Sequence, residues 1–131
     1  MSRKKRVLCV DDNTDTCALV NETLKQWDVA AEHTSMEGLR HAAGEKFDLI
    51  LLDYHLPDGT GLDLCRKIRL FDVTTPILFV TVTHSIEHDE VLAAGGQGII
   101  RKDHLIHMLP VAIANALELR LSSTLINASD N

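Results

Sequence analysis

Short apolar runs alternate five times with longer segments of helical period, and this alternation constrains the fold more than any other feature of the chain. Val7 to Val10, Val29 to His33, Asp48 to Leu52, Ile77 to Val80 and Gly98 to Ile100 read as strands. Several are continuously apolar, as a sheet covered on both faces requires. After the first strand, Cys17, Val20, Leu24 and Trp27 recur at three- and four-residue steps, placing an apolar stripe on a helix that begins near Thr14. Ser35 is expected to cap a second helix through about Ala43, and Leu62, Cys65 and Ile68 line a third. Ile86 to Ala94 form a shorter fourth helix, ended by Gly95-Gly96. The last helix is expected from about His104 to Leu121, with Leu105, Leu109, Ala112, Ile113, Ala116 and Leu117 on its buried side. Pro110 within that span requires either a late start, with Pro110 in the first turn, or a kink. Such alternation in 131 residues predicts an α/β fold: a five-stranded parallel sheet with right-handed crossovers and helices on both faces. Residues 1–121 form the expected domain, and 122–131 a polar tail or the start of a linker.

Composition narrows the class. A chain that is 45% hydrophobic and 24% charged can bury a core without disulfides or a structural metal. Cys9, Cys17 and Cys65 are odd in number and lie in apolar segments, so they read as reduced, buried thiols of a cytoplasmic protein. A formal charge of -6 is the wrong sign for a domain that binds nucleic-acid phosphates. The one basic cluster, Arg3-Lys4-Lys5-Arg6, lacks interleaved aromatics and reads as a solvated lead-in to the first strand. No apolar run approaches a signal peptide's core or a membrane span.

Ligands of open parallel sheets bind beyond the carboxyl ends of the strands. Strand one is followed there by Asp11-Asp12, strand three by Asp53, strand four by Thr81 and strand five by Lys102. Converging carboxylates repel, and proton uptake or a bound cation relieves them. Hard oxygen ligands without His or Cys from the same strand ends select Mg2+. Phosphoryl transfer suits this set, with Asp53 as nucleophile, Mg2+ and Lys102 neutralising the transferring group, and the Thr81 hydroxyl donating to one of its oxygens.

The pieces VLCVDDN, FDLILLDYHLPDGTGLDLCRKIR, TPILFVT and AAGGQGIIRK together resemble the receiver domains of bacterial response regulators, over nearly the whole chain. The resemblance implies a flavodoxin-like sheet of order 2-1-3-4-5, with Asp53 as phosphoacceptor and Thr81 and Lys102 as catalytic and switch residues. It implies Mg2+ bound by Asp12, Asp53 and the backbone carbonyl of His55, with Asp11 acting through water. It further implies a sensor histidine kinase or phosphotransfer protein as partner, and linked signalling modules rather than a nucleic acid or membrane. Three positions depart from the family's pattern: Asp103 follows Lys102 in place of a proline, Ile99 replaces an aromatic residue, and Val82 replaces a small one. Two other readings stand beside this one. A Mg2+-dependent small-molecule phosphohydrolase would usually place an aspartate where His55 stands, and a phosphorylation-independent receiver-like scaffold would have no need of the five site residues. The pairs His84/His88 and His104/His107 have helical metal-ligand spacing but no further ligand near them, and read as solvated.

Overall fold

The computed structural model describes residues 4–82 and 86–129, with side chains as far as Glu118. The elements, in chain order, are β1 (Arg6–Val10), α1 (Thr14–Thr23), β2 (Asp28–Glu32), α2 (Ser35–Gly44), β3 (Leu49–Leu52), α3 (Gly61–Arg69), β4 (Ile77–Thr81), α4 (His88–Ala94), β5 (Gly98–Arg101) and α5 (Leu105–Ser129). An antiparallel ribbon of His55–Leu56 and Gly59–Thr60 separates β3 from α3, and a 3-10 turn over Lys102–His104 leads into α5.

The five strands pair in parallel in the order β2-β1-β3-β4-β5, as expected. Alternation along each strand divides the core. Leu8, Val10, Ile50, Leu52, Ile77 and Phe79 face α2, α3 and α4. Val7, Cys9, Leu49, Leu51, Leu78 and Val80 face α1 and α5. All four residues of β3 are buried, which is why the sequence there shows no polar alternation. On α5, Leu105, Leu109, Ile113 and Ala116 form the buried stripe, with Ala112 and Leu117 packed beside it.

Several local expectations shift. Thr34, not Ser35, caps α2: its side chain accepts the Glu37 N–H, so Ser35 is already the first helical residue. Helix α1 ends at Thr23, yet Leu24 is buried and Trp27 still packs on the same layer. Helix α4 begins at His88 behind a Glu87–Glu90 capping box, and Ile86 is buried ahead of it. Gly95 ends α4 with φ 99°, a left-handed conformation that favours glycine. Helix α5 starts at Leu105, which leaves Pro110 in its interior and removes the late-start reading. Its backbone is helical through Ser129.

Candidate functional site

Strand register brings the chemistry to one edge. Val10 is level with Leu52 across the β1/β3 pair, so Asp11 and Asp53 are the next residues on adjacent strands. The ladder continues into them: the Asp53 N–H donates to the Val10 carbonyl at 2.9 Å, and the Asp11 N–H to the Glu32 carbonyl at 3.0 Å. Thr81 is level with Arg101 across β4/β5, which puts Lys102 just beyond that pair.

Asp11, Asp53 and Thr81 are buried, whereas Asp12 is exposed. One carboxylate oxygen from each of Asp11, Asp12 and Asp53 lies within 4.8 Å of the others, the one such acidic, His or Cys group among the described residues. Lys102 Nζ stands 2.8 Å from Asp11 Oδ2 and 3.5 Å from Asp53 Oδ2. The Asn13 N–H donates to Asp11 Oδ1 at 2.9 Å, while Asp11 Oδ2 has no donor in hydrogen-bond alignment despite the nearby ammonium. His33 Nδ1, from the end of β2, lies 2.9 Å from the Asp11 carbonyl oxygen, and that bond raises the imidazole's pKa.

Two of the three carboxylates, Asp11 and Asp53, thus share one ammonium. Burial, reinforced by the charge of Asp11 and opposed by Lys102, pushes the Asp53 carboxyl up to about 6. Burial works to lower Lys102, but Asp11 and Asp53 outweigh it and hold the ammonium above its ordinary range. An oxygen-only cluster with one buried oxygen lacking an aligned donor fits a hard divalent cation.

The turn after Asp53 is fixed by a close approach. A Cβ on Gly61 would stand 2.1 Å from the Asp53 carbonyl oxygen, and the Gly61 N–H donates to the Tyr54 carbonyl at 2.7 Å. His55 is exposed, and its ring packs edge-on against Tyr54 at 4.6 Å, outside the carboxylate cluster. Asp58 does more than form a turn: it accepts the Ser35 and Met36 N–H groups at 2.7 and 3.0 Å, tying the ribbon to the start of α2. Sequence reasoning missed this contact because nothing local to Asp58 signals a helix 23 residues away. It also missed His33, which its place at a strand's carboxyl end could have flagged.

Of the departures, Val82 is exposed and Ile99 is partly buried against the α2–α4 layer. Asp103 pairs with Arg101, Nε to Oδ1, at 3.2 Å. His84 lies outside the described residues, and His88, His104 and His107 are exposed. No helix among the described residues is long and apolar enough to cross a membrane.

A family model described as the response regulator receiver domain matches residues 7–114. The response regulator protein PilR of Pseudomonas aeruginosa is 36% identical over 92% of this chain and 27% of its own. A CheY-like response regulator receiver domain protein from Methanospirillum hungatei superposes with a TM-score of 0.76 at 27% identity, covering 88% of this chain and 98% of its own. A response regulator protein from Burkholderia pseudomallei, solved with a phosphorylated aspartic acid, calcium ion and citrate, gives 0.78 at 26% identity over 95% of this chain and 75% of its own. The chain spans 27% to 35% of the length of three curated relatives it matches.

Proposed function

The chain belongs to the response regulator receiver domain family, and on that premise we propose that it takes a phosphoryl group from a partner histidine kinase or phosphotransfer protein onto Asp53. The observation that carries this reading is the placement of the Asp53 carboxylate beside Asp11 and within 3.5 Å of Lys102 at the carboxyl edge of the sheet. The aspartyl-phosphate of the Burkholderia relative supports it.

In the transfer, a carboxylate oxygen of Asp53 attacks phosphorus, the phosphorus–nitrogen bond of a donor phosphohistidine breaks, and an acyl phosphate forms. Lys102 neutralises the charge on the transferring oxygens, and the Thr81 hydroxyl donates to one of them. Asp12, Asp53 and the His55 carbonyl would hold Mg2+, with Asp11 acting through water. When bound, the ion supplies positive charge to the phosphoryl oxygens. Transfer to Asp53 serves signalling, with the chain catalysing only its own phosphorylation and dephosphorylation in the cytoplasm. The chain's short span of its relatives suits a receiver linked to further signalling modules.

Acetyl phosphate with Mg2+ should add one phosphoryl group to the wild-type chain and none to Asp53→Asn, read by intact mass. Equal labelling of both would move the acceptor elsewhere. No labelling of the wild type would favour the scaffold reading.

A further inference from the structure

Two thiols stand against the carboxylate edge with no part in phosphoryl transfer. Cys9 lies on β1 two residues before Asp11, and Cys17 lies in α1. Their Sγ atoms are 3.7 Å apart, and Cys17 Sγ is also 3.7 Å from the Asp11 carbonyl oxygen. Both are free and buried, but they are not equally reachable. Cys9 is enclosed between the sheet and the α1/α5 layer. Cys17 also borders an open cavity of about 330 Å³ lined by Thr14, Asn21, Val29 and His33. Cys65 belongs to the opposite core layer, where its thiol donates to the Ala94 carbonyl at 3.3 Å.

We propose that Cys9 and Cys17 form a dithiol that a peroxide oxidises to a disulfide, and that this bridge weakens cation binding at Asp11 and Asp12. The cation half rests on the reading of those carboxylates given above; the dithiol half does not.

The cavity admits a small peroxide to Cys17. The Cys17 sulfur attacks one peroxide oxygen, the O–O bond breaks, and a sulfenic acid and one water form. The Cys9 sulfur then attacks the Cys17 sulfur, the S–O bond breaks, and the departing hydroxide takes the Cys9 proton as a second water. Two thiols give up two electrons, and one hydrogen peroxide accepts them.

The bridge acts on the site through the chain it closes. Asp11, Asp12 and Asn13 all lie between the two cysteines. A disulfide is about 2.05 Å long, so the sulfurs must approach by roughly 1.7 Å. Strand β1 is hydrogen-bonded on both sides, to β2 and β3, so the movement falls on α1 and the loop before it. That loop carries Asp12 and the Asn13 N–H that holds Asp11 Oδ1. Mg2+ tolerates little departure from octahedral geometry, so a shift of this size costs affinity.

The test treats the full chain with hydrogen peroxide, then measures intact and peptide masses without reductant and follows Mg2+ titration by the amide signals of residues 11–13. Expected are a loss of about 2 Da reversed by dithiothreitol, a cross-linked Cys9–Cys17 peptide, and Mg2+ affinity reduced at least about tenfold. Neither Cys17→Ser nor Cys9→Ala should show the loss, and each should keep its Mg2+ affinity after peroxide. No mass loss, a bridge to Cys65, or added oxygen at Cys17 in place of the bridge would overturn the dithiol. A bridge that leaves Mg2+ affinity unchanged would overturn its effect on the site. Absence of Mg2+ binding before oxidation would overturn the cation reading, while the mass change still decides the dithiol.

Discussion

Asp53 and Asp72 are the same side chain at opposite edges of the sheet, and their surroundings push them in opposite directions. Asp72 precedes β4, and five contacts serve it: the N–H groups of Thr74 and Thr75 at 3.1 and 3.0 Å, the Thr75 hydroxyl at 2.6 Å, the Thr74 hydroxyl at 3.5 Å, and Lys46 Nζ at 3.5 Å. Burial raises its pKa, but the Thr75 and Thr74 donors outweigh that and bring the carboxyl to about 2. Asp53 has a second carboxylate beside it and a share of one ammonium, and it stands at about 6. Where donors are complete, the carboxylate secures the fold. Where charge is left uncompensated, the carboxyl stands above its ordinary range, as the proposed cation and phosphoryl site requires.

Removing each carboxylate sharpens this contrast, and the larger effect belongs to Asp72. Asp72→Ala should destabilise the fold by about 3 kcal/mol at neutral pH, because the buried Thr75 hydroxyl loses its charged acceptor. The Asp72 pKa lies below its unfolded value, so this stabilisation is present above about pH 4 and is lost as pH falls toward 2. Urea denaturation of wild type and variant across that range should show the difference shrinking. A difference that persists at pH 2 would assign it to packing.

Asp53→Asn should act the other way. The folded pKa of about 6 lies above the unfolded value, so the ionised group costs stability fully above pH 6 and nothing below about pH 4. Two pKa units correspond to roughly 3 kcal/mol, and partial solvation lowers the expected gain to about 2 kcal/mol in metal-free buffer at pH 8. Urea denaturation should show that gain vanish at pH 4. A destabilised variant at pH 8 would mean that Asp53 is compensated as fully as Asp72.

This contrast was only half legible in the sequence. The alternation of apolar runs carried the sheet and its two core layers, because continuous burial leaves a continuous apolar run, as in Leu49 to Leu52. Strand ends carried Asp11, Asp12, Asp53, Thr81 and Lys102, because parallel strands deliver their last and following residues to one edge. What stayed hidden was long-range pairing: Asp58 on the first turn of α2, His33 on the Asp11 carbonyl, and the Cys9–Cys17 contact. Periodicity gives a residue's face but not its partner. Helix ends were displaced for a related reason, since the Thr34 cap and the Glu87–Glu90 box depend on backbone geometry that apolar spacing does not report.

The smallest expected effect lies at Ile99. A β-branched side chain has few rotamers to exchange, and this one packs against the α2–α4 layer. Beryllofluoride, a phosphoryl mimic, should therefore shift signals in the loops after β3 and β4 while the Ile99 methyls barely respond. A rotamer change at Ile99 larger than the changes near Thr81 would instead make a side-chain flip on β5 the switch.

Both the phosphoacceptor reading and the contrast with Asp72 require a carboxylate edge short of positive charge, and carboxyl-carbon NMR titration tests that directly. In metal-free buffer Asp53 should titrate near pH 6 and Asp72 near pH 2. Mg2+ should move the Asp53 midpoint down and leave Asp72 unmoved, and Asp12→Ala should blunt the Mg2+ effect. An Asp53 midpoint in the ordinary carboxylate range, or one that Mg2+ does not shift, would contradict the account.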